Sequence, residues 1–134
     1  MKVVVDTNVV AYHLLGTPRF AAEAAEILEA ADEILAPALW EAELANVIWM
    51  AARTSVLPAR EASSRLALAA RLGVQSVPVR TLWHGALVRS LQSGAAVYDT
   101  LFVELADREQ LTLATFDQKL IRAFPAFAKR PKEI

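Results

Sequence analysis

Four acidic side chains stand where an α/β chain would put chemistry: Asp6 closes the run MKVVVD, Glu43 lies in ALWEAELANVIWMAAR, Asp99 in AAVYDTLFVELADRE and Asp117 in LATFDQKL. Each alone has an ordinary explanation. Asp6, Thr7 or Asn8 can cap a helix starting near Val9, Asp99 lies near a helix start, and Thr115 or Asp117 can cap the last helix. Glu43 can be a solvated helical glutamate, although a helical wheel sets it beside the apolar arc Trp40, Leu44, Val47, Ile48 and Ala51. Glu41 projects nearly opposite to Glu43 and belongs to the first turn, where the helix dipole favours a negative charge.

As a set the acids say more. If they converge, each pair of charges about 5 Å apart repels by about 3 kcal/mol at an effective dielectric near 20. A fold tolerates that only with cations. Cysteine is absent and histidine is limited to His13 and His84, so neither thiolate nor zinc chemistry is indicated. An all-oxygen cluster suits Mg²⁺ or Mn²⁺. A site of that kind lowers the pKa of a bound water and stabilises the oxygens of an in-line displacement at phosphorus.

The elements that must position these groups alternate. Val3, Val4 and Val5 make a short buried strand, and EILAP, closed by Pro37, a second. VQSVPV is a weaker candidate, and LTLAT is the best strand after the first. Helices are predicted over PRFAAEAAEILEAADE, Ala38 to Arg53, Pro58 to Gly73, Arg80 to Gln92, Ala96 to Glu109 and Asp117 to Phe124. Strands alternating with helices imply a mostly parallel sheet covered on both faces, with right-handed crossovers that bring the carboxyl ends of the strands to one edge. Asp6 and Asp117 both follow strands.

A chain of 134 residues is sized for one domain with one core. With 14 Lys plus Arg against 15 Asp plus Glu, the net charge of −1 does not announce a nucleic-acid binder; basic residues must act locally. Arg53, Arg89, Lys119 and Arg122 are the candidates for a basic rim, whereas Lys129, Arg130 and Lys132 of AKRPKEI read as a solvated, frayed terminus. No apolar run approaches the roughly 20 residues that span a bilayer. The absence of cysteine fits a reducing cytoplasm.

Taken together, VVDTNVV, EAELANVIW, VYDTLFVELA and LATFDQKL resemble the PIN-domain ribonucleases, and their order is similar to that of the VapC toxins of bacterial and archaeal toxin–antitoxin pairs. The resemblance covers nearly the whole chain. It implies a three-layer α/β/α fold around a mostly parallel sheet, forming a single PIN domain over residues 1–134. It places the catalytic and metal-holding acids on Asp6, Glu43, Asp99 and Asp117, with Asn8 and Thr115 in support. The implied reaction is hydrolysis of RNA by a metal-activated water, with Mg²⁺ or Mn²⁺, leaving 5′-phosphate and 3′-hydroxyl ends. The implied partners are RNA, a second copy in a homodimer, and a VapB-type antitoxin, which is expected to lie in an apolar groove around the acids and residues 38–53. The family often adds a last edge strand, for which FPAFAKRPKEI is a poor candidate. A PIN nuclease in RNA processing without an antitoxin is the alternative. A phosphoacceptor signalling domain shares the α/β order, but it needs an additional acidic pair after the first strand, and KVVVD supplies none.

Overall fold

The computed structural model describes residues 1–134. Its centre is β1 (Lys2–Val5), whose Val3, Val4 and Val5 are fully buried. The strand shows no polar alternation because it is covered on both faces. On one side it pairs with β2 (Glu33–Pro37), Val3 opposite Ile34, and β2 pairs in turn with β3 (Val74–Val77). On the other side it meets β4 (Leu113–Ala114), Val5 opposite Ala114, and β4 pairs with β5 (Ala128–Lys129). All pairings are parallel, in the order β3-β2-β1-β4-β5.

That order sets the layers. The chain moves outward from β1 through β2 to β3, then returns to the far side of β1 for β4 and β5, so right-handed crossovers place the earlier helices on one face and the later ones on the other. The first group is α1 (Thr7–Leu15), α2 (Ala21–Ala30), α3 (Leu39–Arg53) and α4 (Ala62–Ala70), with α1 packed against the other three. The second group is led by α5 (Trp83–Ser93) and α6 (Val97–Glu109), with the short α7 (Gln118–Ala123) between β4 and β5. The layout is the expected α/β/α arrangement around a five-stranded parallel sheet. Strand order reverses between β1 and β4, and crevices at such reversals are where open α/β sheets hold ligands. Asp6 follows β1 and Asp117 follows β4.

One cluster of 31 buried hydrophobic residues joins the sheet to both helix layers. The helix α3 contributes Trp40, Leu44, Ile48 and Ala51 to it, the stripe its periodicity indicates. Helix starts differ from expectation in two places. The turns Ala59–Glu61 and Val79–Thr81 are 3-10, and regular α-helix begins only at Ala62 and Trp83.

The C-terminus departs further from its reading. Rather than fraying, it forms β5, with Leu113 N–H donating to Phe127 O (2.8 Å) and Thr115 N–H to Lys129 O (3.0 Å). Arg130 then bonds Glu23 at 2.9 Å and lies over the Phe20 and Phe116 rings. The edge strand that FPAFAKRPKEI scarcely advertises is present, and it pins the backbone of Thr115.

Candidate active site

Asp6 is the residue between β1 and α1. Its backbone N–H donates to Ala114 O (2.9 Å) and its carbonyl accepts from Val9 N–H (3.0 Å), so the main chain is fixed to the neighbouring strand and to the first helical turn. The side chain does not cap α1. Its Oδ2 instead accepts from the Thr115 hydroxyl at 2.7 Å and from Asn8 Nδ2 at 3.3 Å. Asn8 Oδ1 accepts from Phe116 N–H at 3.3 Å, and Thr115 Oγ1 accepts from Asp117 N–H at 3.0 Å. Asn8 and Thr115, assigned a supporting role from the sequence, thus bridge the ends of β1 and β4.

Glu43 projects from α3 toward α1, where its Oε1 accepts from the Thr7 hydroxyl at 2.8 Å. Asp117 does cap α7, its Oδ1 accepting from Lys119 N–H (2.9 Å) and Leu120 N–H (3.2 Å). Asp99, in the first turn of α6, joins Asp117 and Lys119 along a cleft of about 280 Å³. Glu41 stays apart. Its exposed carboxylate accepts from the Ser76 hydroxyl at 2.7 Å, and that hydroxyl accepts from Trp40 Nε1.

The acids feel one another. Burial raises the Asp6 pKa from 3.8 to about 6; the Thr115 bond opposes this, and the charges of Glu43 and Asp99 add to it. Glu43 is raised by burial and by Asp99, against the Thr7 bond, and Asp99 is raised by burial and by Asp117. A chain of repulsion therefore links Glu43, Asp6, Asp99 and Asp117, and none of the four takes part in a salt bridge.

The donor set is all oxygen. No three carboxylate or imidazole groups close into a ready-made cage. In Asp6, Glu43 and Asp117 the chain's own donors engage a single oxygen each: Oδ2, Oε1 and Oδ1. The second oxygen of Glu43 and of Asp117 is left for another partner, while the Thr7 backbone N–H also bears on the Asp6 carboxylate. Such an arrangement fits a hard cation that retains several waters and takes only one or two carboxylates, as Mg²⁺ does, better than a fully caged ion.

Two parts of this site were not read from the sequence as site residues. Thr7 reads there only as a cap, and Lys119 only as a member of a basic rim. Arg89, proposed for that rim, is committed elsewhere: it pairs with Glu104 at 2.8 Å and with Asp107, and lies over the Phe127 ring. The expected groove around the acids is also displaced. An apolar groove of about 330 Å³ lies between α3 and α4, lined by Ile48, Trp49, Ala62 and Leu66 among others, and none of the four acids borders it.

Comparison with known proteins places the chain and its fold. A family model described as PIN domain matches residues 3–124. Ribonuclease VapC3 of Pyrobaculum aerophilum is 34% identical over 131 residues, covering 94% of this chain and 97% of its own. Among solved structures, a toxin–antitoxin complex from Klebsiella pneumoniae superposes with a TM-score of 0.67 at 20% identity, over 98% of this chain and 99% of that one. VapBC2 from Rickettsia felis, bound to a DNA fragment from its promoter, gives 0.65 at 16% identity over 97% and 98%. FitAcB from Neisseria gonorrhoeae gives 0.61 at 23% identity over the whole of both chains. These structural likenesses establish the fold.

Proposed function

The chain belongs to the PIN-domain family, and from that premise we propose that residues 1–134 form one PIN domain acting as a metal-dependent endoribonuclease, the toxin of a VapBC-type toxin–antitoxin pair. The observation that carries the proposal is the set of mutually repelling acids at the reversal of strand order, three of them oriented by the chain's own hydrogen-bond donors.

In this reading Asp6, Glu43, Asp99 and Asp117 hold Mg²⁺ or Mn²⁺, one or two of them directly and the others through its retained waters. When bound, the cation offsets their repulsion and supplies a water of lowered pKa as the attacking group. The protein's own part is orientation. Thr115 and Asn8 fix the Asp6 carboxylate, and Asp117 is fixed by two backbone amides at the start of α7. Lys119, on the wall of the cleft that Asp99 and Asp117 share, offers a phosphate of RNA a positive charge where the acids would otherwise repel it. Base identity is left to surface shape and to the single-stranded loops that an RNA presents.

The partners follow from the same reading. A VapB-type antitoxin lays an amphipathic segment in the apolar groove between α3 and α4, a mode in which a helix anchors through regularly spaced apolar side chains. The toxin acts as a homodimer in the cytoplasm, and no helix is long and apolar enough to cross a membrane. Expression in a bacterial host tests the toxin assignment. Growth should stop with the parent chain, continue with Asp99→Asn, and recover when a VapB-type antitoxin that binds the chain is co-expressed. Equal arrest by parent and Asp99→Asn would refute the assignment.

A further inference from the structure

Thr7 is the first residue of α1 and only 6% exposed. A helical threonine hydroxyl usually bonds back to a carbonyl one turn earlier, but at the first position no earlier turn exists. The hydroxyl is therefore free to look outward from its own helix. It donates to Glu43 Oε1 at 2.8 Å, across 36 residues of sequence. Glu43 needs such a partner more than the aspartates do. It stands on a different helix from the other acids, at the end of a side chain with three rotatable bonds, and holding a long acidic side chain in one rotamer costs conformational entropy.

The same local turn also carries Asp6. Asp6 and Thr7 are adjacent, the backbone of Asp6 is bonded to β4, and its carboxylate is bonded to Thr115. Whatever fixes that turn thus fixes two acids, one directly and one through a hydroxyl. The pattern matches the other tethers: Thr115 engages one oxygen of Asp6, the α7 amides engage one oxygen of Asp117, and Thr7 engages one oxygen of Glu43. Nothing else in the first helical turn requires a hydroxyl, since a valine of the same shape would serve the packing.

We propose that Thr7 is the positioning residue for Glu43, clamping Oε1 so that Oε2 faces the acid cluster in a single orientation. The inference rests on the reading that Glu43 serves that cluster. Outer hydrogen-bond partners of this kind typically change metal affinity or activity by 10–100-fold.

The test is a titration of the full chain with Mn²⁺, following free Mn²⁺ by electron paramagnetic resonance, with thermal unfolding in EDTA alongside. Thr7→Val should raise the Mn²⁺ Kd by roughly 10-fold or more while melting close to the parent, and Thr7→Ser should stay within about twofold of it. Thr7→Ala serves in place of the valine variant if that variant melts early. In a Glu43→Gln background Thr7→Val should add no further loss, because a residue acting only through Glu43 has nothing left to position. A parental Kd for Thr7→Val, equal losses for the serine and valine variants, or an undiminished loss on top of Glu43→Gln would each overturn the proposal. A Glu43→Gln variant that binds Mn²⁺ like the parent would refute the assignment of Glu43 itself. Weak binding by Glu43→Gln with parental binding by Thr7→Val would remove Thr7 alone.

Discussion

Asp6 bears the largest electrostatic cost at the residue scale, and that cost has a pH signature. Burial, then Glu43 and Asp99, lift its pKa from 3.8 to about 6 in the folded chain. A carboxyl raised on folding favours the native state while protonated, so its contribution is complete below about pH 4 and is lost as pH rises through 6. The rise corresponds to a ceiling of roughly 3 kcal/mol. In EDTA, the melting temperature of the parent relative to Asp6→Asn should therefore fall between pH 4 and pH 7, and Mg²⁺ should restore the parent at pH 7 by binding the folded state. A pH-independent difference between the two proteins would contradict this origin of the cost. The places of the acids, after strands and near helix starts, were legible because strand ends and helix faces follow from local pattern, whereas their role as a set rests on the family resemblance. Thr7 was not, because its hydroxyl meets a residue on α3, and no periodicity within either segment announces a contact between them. Asp117 both caps α7 and lines the cleft, so its capping role is compatible with the functional one proposed for it.

Between elements, α5 packs closely against α6. Gly85 on α5 faces the Glu104 carboxyl, and a Cβ there would stand 2.3 Å from its atoms. Glu104 cannot simply swing away without loss: it is 15% exposed and held by Arg89 at 2.8 Å and Arg108 at 3.1 Å. Gly85→Ala gains helix propensity, yet it must displace this clamp, so we expect a net destabilisation of about 1–2 kcal/mol, seen as a lower urea midpoint with an unchanged slope. A midpoint at or above that of the parent would show that the clamp yields freely. The sequence carried the order of helices and strands well, because their apolar patterns are long enough to read. It carried β5 poorly. A strand of two residues has no alternation to detect, and its existence depends on β4 offering Phe127 and Lys129 a partner. The 3-10 starts before α4 and α5 were likewise invisible, since both follow prolines that suit any helical first turn.

Across the whole molecule, the acids and the apolar groove are separate surfaces. The groove between α3 and α4 contains Trp49, half-exposed and stacked beneath the Arg53 guanidinium at 5.3 Å. Arg53 therefore belongs to the groove more than to an RNA rim, which leaves Lys119, on the cleft wall, and Arg122, on the same helix, as the remaining rim candidates. If the antitoxin occupies the groove, Trp49→Ala should weaken the complex at least 10-fold, a loss typical of a buried aromatic anchor, while the free toxin cuts RNA at the parental rate. Equal affinity for both proteins, measured by calorimetry, would move the antitoxin elsewhere. Net charge gave no hint of either surface, because −1 is a sum over the chain and both surfaces are local. Hydrolysis by a cation held on the four acids is the central claim, and its most direct test is cleavage of a 5′-labelled structured RNA by the purified chain, with and without Mg²⁺, followed by analysis of the new ends. Cleavage should need Mg²⁺, leave 5′-phosphates and 3′-hydroxyls, persist in Glu41→Gln, and fall at least 100-fold in Asp6→Asn, Glu43→Gln and Asp99→Asn. Cleavage that survives in EDTA, or that proceeds at the parental rate in all three acid variants, would contradict it.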